Sequence, residues 1–536
     1  MKRMVGWRTV GVVGLLMVMA SVLHAQQPTV VVSLRGVDEL LDDAEFLGAE
    51  VGQAGMKEAA ENLISAFTGG KGLAGVDQTK PLGLYWNAKA GGPPEMPVLF
   101  LPVADADDLK ELLTDLAPDF EDAKGQWSMT VNGTKLFAKV SNGYCFSSPA
   151  PTALAKLPDP AKFVNAKYDI ALDVNFASIP QELKDLFLQQ AEANGRQALE
   201  SGPEPKNDAE AKARDMGFNG TLAALKSLVN EGNQLTFGVD VNSKSRLAAV
   251  DVSVTGKSNT NLAKAMAAYG KIQPAFAAVG SESAPLRWIA SHPTTALLDQ
   301  LDELMTAVRD AASSEIEKDA RLKTDADRAA AQDIATRLFD IAEATAKSGS
   351  VHSVVVLEAA RGGKVCLYGG TKIARGDDAG KLLDDIIKLS KDNPEIDKLK
   401  LDVAKHAGAR IHAVDSDFNE GDQKKFGDEP SHLAIRNDSL WLALGGDNLT
   451  ALKKALDQSG KTATRMPSPI SLRVKPATLV TLMEQDDEDL IERAKAIAGK
   501  PGDMLNLDVV PIPSGAKLRL EFSVDLFKLA GPSEDN

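Results

Sequence analysis

The chain predicts an α+β fold of two related halves, each a mainly antiparallel sheet with covering helices from an internal duplication. Three observations predict it. Strand-like runs alternate apolar and polar residues, as in Leu518-x-Leu520-x-Phe522-x-Val524, the pattern of an antiparallel sheet with one buried face. Helix-like runs are amphipathic: Leu183, Leu186, Phe187 and Ala191 share one face, and Leu297, Leu301, Leu304 and Val308 share another. The same series of segments also occurs twice in the same order.

Five units make up each series. The first is a strand feeding a helix: Val30–Leu34 before Leu40-Leu41-Asp42, and Leu286–Ile289 before Leu297-Leu298-Asp299. The second is a strand pair feeding a helix. Val98–Leu101, Val103-Ala104 and Asp107-Asp108-x-x-x-Leu112-Leu113-x-Asp115 match Val365–Tyr368, Ile373-Ala374 and Asp377-Asp378-x-x-x-Leu382-Leu383-x-Asp385. The third is a hairpin and helix. Leu136–Val140 turns at Asn142-Gly143 into Tyr144-Cys145-Phe146 and then Thr152-Ala153-Leu154; His432–Arg436 turns at Asn437-Asp438 into Leu440-Trp441-Leu442 and then Thr450-Ala451-Leu452. Asn-Gly is a strong hairpin signal because both central residues take positive φ. The fourth unit matches Ile170-x-Leu172-x-Val174 to Ile470-x-Leu472-x-Val474. The fifth is a closing hairpin, Leu235–Val239 with Val250–Val254, matched to Leu507–Val510 with Leu518–Val524.

The organisation that follows is a signal peptide over 1–25 and a first repeat over 26–280 with a helical insertion near 181–231. A second repeat covers 281–536 with a long helical segment over 294–347, broken near Glu315–Asp327. The boundary falls near Ala277–Pro285, where Gly280, Ser281, Ser283 and Pro285 cluster. Asp415–Ser431 is polar and reads as a loop insertion in the second half.

The opening carries an address. Lys2, Arg3 and Arg8 precede the almost wholly apolar Val10–Val22, and small residues follow at Ala20 and Ala25. This is the arrangement of a cleavable secretory signal, with cleavage expected after Ala25 or Ala20. No Cys near the cleavage region supports a lipid anchor, and Arg3 and Arg8 are not adjacent as a twin-arginine signal requires. No later segment reaches spanning length without charge.

Composition narrows the function. Net charge is −15, and loss of Lys2, Arg3 and Arg8 takes it to −18, which opposes nucleic acid and anionic membrane surfaces. Aromatic residues make up 5%, leaving few stacking platforms for a glycan cleft. The two cysteines, Cys145 and Cys366, lie in strand-like runs and read as separate buried thiols, with a bridge as the alternative that export permits.

The candidate chemistry is sparse. His406 and His412 are six residues apart, a spacing that fits no zinc helix or finger; a metal site would need His432 to join them in space. Asp105, Asp107, Asp108, Asp377 and Asp378 stand before helical runs, where carboxylates cap free N–H groups. Glu484–Asp489 reads as a solvated acidic face. Gly69-Gly70-Lys71-Gly72 lacks phosphate-loop spacing, and no Gly-x-Ser-x-Gly elbow occurs. No catalytic, cofactor-binding or metal-binding residue is therefore assigned, and no cofactor is expected.

The signal peptide, Tyr144–Pro149, Thr152–Leu157 and Tyr168–Asn175 resemble large exported proteins of planctomycete-type bacteria that carry a domain of unknown function. The resemblance implies a periplasmic or extracellular location and transfers no functional residue. The expected function is non-catalytic binding or scaffolding in the cell envelope, with an unknown protein, a peptide or an apolar ligand as partner. The alternatives are an exported hydrolase whose site assembles from sequence-distant residues, or a carrier of an apolar ligand.

Overall fold

Runs of Val, Leu, Phe and Tyr closed by tight turns set the strands. Asn142 and Gly143 both take positive φ (53° and 74°), as do Asn132 and Gly133 (49° and 77°), so each pair folds its hairpin in the sense that the sheet twist demands. A computed structural model describes residues 28–91, 95–205, 208–295, 298–319, 322, 324–389, 398–415, 418–463, 467–483 and 487–530. The expected signal peptide lies outside these residues. The fold is α+β, with mixed helix and antiparallel sheet.

The chain divides into two units. Among the described residues the first holds 28–202, 222–263 and 530, and the second holds 203–221 and 264–529. The first unit runs β1 (Val30–Leu34), α1 (Val37–Glu50), α2 (Met56–Phe67), β2 (Leu82–Trp86), β3 (Val98–Pro102), α3 (Ala106–Leu116), β4 (Glu121–Ala123), β5 (Gln126–Val131), β6 (Thr134–Ser141), β7 (Tyr144–Ser148) and β8 (Ile170–Asn175). It continues through α4 (Gln181–Glu200), the second half of α5 (Asp208–Glu231), β9 (Gly232–Asn242), β10 (Leu247–Gly256) and the start of α6 (Asn261–Tyr269). The strand order is β4-β5-β6-β7-β3-β2-β1-β8-β9-β10, every neighbour antiparallel.

The second unit runs β11 (Leu286–Pro293), α7 (Leu298–Lys318), α8 (Asp325–Lys347), β12 (Ser350–Ala359), β13 (Val365–Lys372), α9 (Gly376–Leu389), β14 (Leu399–His406), β15 (Ala409–Val414), α10 (Glu420–Phe426), β16 (Ser431–Arg436) and β17 (Ser439–Gly445). It closes with α11 (Asn448–Gln458), β18 (Ile470–Val474), α12 (Pro476–Met483), α13 (Glu488–Ile497), β19 (Leu505–Ile512) and β20 (Gly515–Ser523). Its order is β14-β15-β16-β17-β13-β12-β11-β18-β19-β20, again all antiparallel. Strand for strand, this is the sequence of neighbours found in the first unit.

The registers correspond as well. Val32–Leu172–Phe237–Val252 forms one cross-strand row in the first unit, and Trp288–Leu472–Leu507–Leu520 forms it in the second. Two sequence matches shift. Tyr144-Cys145-Phe146 corresponds to Ser439-Leu440-Trp441 in the hairpin register, one residue before the expected Leu440. Leu235 corresponds to Leu505, two residues before the expected Leu507. Leu440-Trp441-Leu442 is apolar on consecutive positions and carries no period-two signal to fix its register, and a slip of two residues, as at Leu235, leaves every side chain on the same face.

Three local expectations are corrected. The segment after β7 makes one 3-10 turn, Pro151–Leu154, because Pro158 and Pro160 deny a longer helix; its counterpart continues as α11. In α4 the buried apolar residues are Phe187 and Leu188, whereas Leu186 is exposed. The expected boundary near Ala277–Pro285 is core: Phe276, Val279 and Ala284 are buried in the second unit, and Phe276 packs edge-on to Trp441 at 5.1 Å. Leu297 and the side chains of Leu301 and Leu304 lie outside the described positions, as does Glu484. The long helical segment does break, between Lys318 and Asp325.

Candidate functional site

The histidines do not meet. His406 Nε2 lies 2.9 Å from Asp457 Oδ1 at the surface. His412 is fully buried, and its Nδ1 accepts from Asp402 N at 3.1 Å. His432 Nδ1 is hydrogen-bonded to buried Asn448, which donates to the carbonyls of Pro430 and Gly445. Among the described residues no group of three His, Cys, Asp or Glu side chains is placed to hold a metal ion. Asp105 Oδ1 accepts from Asp107 N and Asp108 N (2.8 and 3.1 Å) at the start of α3, a helix cap. Lys71 of the glycine run pairs with Glu111 and Asp115.

Two constellations join residues far apart in sequence. His352 Nδ1 lies 2.8 Å from Ser291 Oγ and its Nε2 lies 2.9 Å from Ser350 Oγ. Ser291 is 1% exposed and His352 5%, so this serine–histidine contact is closed to a substrate. Burial also holds the imidazole below its usual pKa.

The second constellation is acidic. Asp43 of α1 hydrogen-bonds Asp169 side chain to side chain, and burial followed by the Asp169 charge pushes its carboxyl up to about 7. Arg35 Nη1 stands 2.9 Å from Asp169 Oδ1 and its Nη2 stands 3.3 Å from Asp240 Oδ1. One guanidinium serves this cluster of four carboxylates, Glu39 Oε1 also lying 3.3 Å from Arg35 Nη1, and like charges packed this closely favour keeping one carboxyl protonated.

A third feature is an apolar sheet face. In the second unit one face is filled: Ile289, Val356, Tyr368, Ile411 and Trp441 pack with Leu452, Ala455 and Leu456 of α11. On the other face Trp288, Val355, Gly369, Leu442 and Leu433 form a cross-strand row. Trp288 is 37% exposed and Leu442 50%. Gly369 and Gly370 floor a groove of about 390 Å³ whose walls include Trp288, Val355, Leu367, Leu440 and Leu444. Tryptophan and leucine beside a bare glycine backbone make a trough suited to carbon-rich chains.

A signal for this face was present in the sequence. Val354-Val355-Val356-Leu357 and Leu440-Trp441-Leu442-Ala443-Leu444 are apolar at consecutive positions. A strand buried on one face should alternate, so the outward residues Val355, Leu440, Leu442 and Leu444 need a second explanation.

Fold and surface together define a class: an α+β protein of two units with the same strand order, one of them carrying an open apolar sheet face. No protein-family model, no curated protein and no solved structure matches the chain. No helix among the described residues is long and apolar enough to cross a membrane.

Proposed function

We propose that this chain is an exported, non-catalytic binding protein built by duplication of one α+β unit, and that the open face of the second unit receives an alkyl or acyl chain. The single observation that carries the ligand assignment is the groove over Gly369, walled by exposed Trp288 and Leu442. Water gains little from wetting such a trough, and covering it is favourable by roughly 25 cal/mol per Å² of apolar area. The shared strand order and register support the duplication. The basic, then apolar, then small-residue opening supports export.

A titration of the purified protein with cis-parinaric acid, read by probe fluorescence, tests the assignment. Saturable binding is expected, weakened about tenfold or more by Trp288→Ala and by Leu442→Asp. Absence of saturable binding overturns it, as does unchanged affinity in both variants with native circular dichroism.

A further inference from the structure

The first unit carries a second cavity of opposite character. It has a volume of about 390 Å³ and is lined by Asp173, Asn175, Gln234, Asn233, Asn165 and Lys162, with Val31 and Phe163 on its apolar side. The sheet register builds it. Val31 of β1 pairs with Asp173 of β8, Asp173 pairs with Thr236 of β9, and Asn175 pairs with Gln234. These side chains therefore stand on one face at one end of the sheet, roofed by the loop that carries Phe163 and Asn165.

Asp173 is 8% exposed. Its Oδ1 accepts from Thr236 Oγ1 and from Gln234 Nε2 at 2.9 Å. Its Oδ2 is buried and has no hydrogen-bond partner. Asp173 also lines the polar cavity, and a buried carboxylate oxygen without a donor is costly unless something supplies one. Among the described residues Asp173 makes no ion pair, and Lys162, exposed where it lines the cavity, makes none either. Asn175 spends its carbonyl oxygen on Ala177 N, which leaves its amide N–H groups for another acceptor.

We propose that this cavity binds a small zwitterion bearing a primary ammonium group, an amino acid or short peptide with a free amino terminus. The ammonium donates to Asp173 Oδ2, the side-chain amides serve the peptide carbonyls, and the carboxylate meets Lys162. The cavity size lies within the usual range of small-molecule sites, about 300–1,000 Å³. The site is separate from the apolar groove, and neither assignment rests on the other.

Isothermal titration calorimetry of the full chain with triglycine, N-acetyl-triglycine and triglycine amide tests the inference. Triglycine is expected to bind. Acetylation removes the charge-assisted donor and lowers affinity about tenfold or more. The amide and the Lys162→Ala variant lose a smaller factor that shrinks as salt rises. Asp173→Asn abolishes binding. Should that variant misfold through loss of the Thr236 contact, the comparison of triglycine with its acetylated form on the unaltered protein still decides. No heat with triglycine at millimolar concentration, or equal binding of the acetylated form, overturns the inference.

Discussion

Trp441 lies against the backbone of Gly370, its cross-strand partner on β13; a Cβ built on Gly370 would come within 2.5 Å of the indole ring. The row they belong to is Ile289–Val354–Gly370–Trp441. The corresponding row of the first unit is Ser33–Gly83–Phe100–Phe146, where the glycine sits one strand over and a Cβ on Gly83 would come within 2.9 Å of Phe100. Each row holds one bare position beneath an aromatic ring, as close packing at fixed total volume requires.

Gly370→Ala therefore forces the indole off its seat and is expected to cost about 1–3 kcal/mol, read as a lowered thermal midpoint. Trp441→Phe in the same chain should recover part of that loss, because the smaller ring can recede. Gly217→Ala is the contrast: it lies within α5 with open space at its Cβ, and helix propensity predicts a gain of about 0.5–1 kcal/mol. A Gly370→Ala midpoint equal to that of the parent would refute the packing account.

Much of this fold was legible because its signals are local. Asn142-Gly143 dictates a turn by backbone conformation alone, and Asp105 caps the helix that begins at the next residue by accepting from the N–H groups of Asp107 and Asp108. The series of segments along the chain was readable because each half repeats those local signals, whereas the order of strands across each sheet is set by pairings between segments distant in sequence. Register was less so: Leu440-Trp441-Leu442 is apolar on both faces, and only pairing with β13 and β16 decides which residue points inward. The Ala277–Pro285 segment looked like a linker from its Gly, Ser and Pro content, yet Arg287 binds the carbonyls of Val279 and Ala277 (2.7 and 2.5 Å) and holds it in the core. The Asp173 cavity and the Asp43–Asp169 pair were not legible at all, since each joins residues from strands or helices that meet only in the folded sheet.

Lys184 is 3% exposed on α4, and no carboxylate lies within ion-pair distance of it among the described residues. Burial, then the neighbouring Lys257 charge, lowers its ammonium to about 8. The folded state thus penalises the charged form. Lys184→Met keeps the aliphatic stem and is expected to stabilise the protein by about 1–3 kcal/mol at pH 7. The depressed pKa means that the parent regains stability as pH rises from about 8 towards the unfolded value of 10.5. The advantage of the variant should therefore shrink over that range, and urea denaturation at pH 7 and pH 10 measures it. A variant less stable than the parent at pH 7 would mean that the ammonium has a partner after all.

Cys145 and Cys366 are free and buried, and burial pushes both thiols up to about 12. The thiolate is the reactive form. Neither cysteine should react with Ellman's reagent at pH 8 in the native protein, and both should react at once in guanidinium. Fast native labelling of either would show that its strand opens readily.

The Asp43–Asp169 pair gives the stability a pH signature. Unfolded, Asp43 titrates near 3.8; folded, it is held at about 7. Between those values the folded state retains a proton that the unfolded state has released, so the contribution is full below about 3.8 and is lost as pH climbs through about 7. The charges facing it are Asp169, Glu39 and Arg35, with Asp240 held to the same guanidinium. Asp43→Asn mimics the protonated form and still donates to Asp169. The variant should match the parent at pH 4 and exceed it in thermal midpoint by several degrees at pH 8. His352 and His412 act in the opposite sense: burial holds both below 6.5, so both chains lose stability as pH falls through the folded values of these imidazoles. That loss is common to parent and variant, and it cancels in the difference between their midpoints. A difference that stays flat from pH 4 to pH 8 would show that Asp43 is ionised throughout and that the carboxyls do not share a proton.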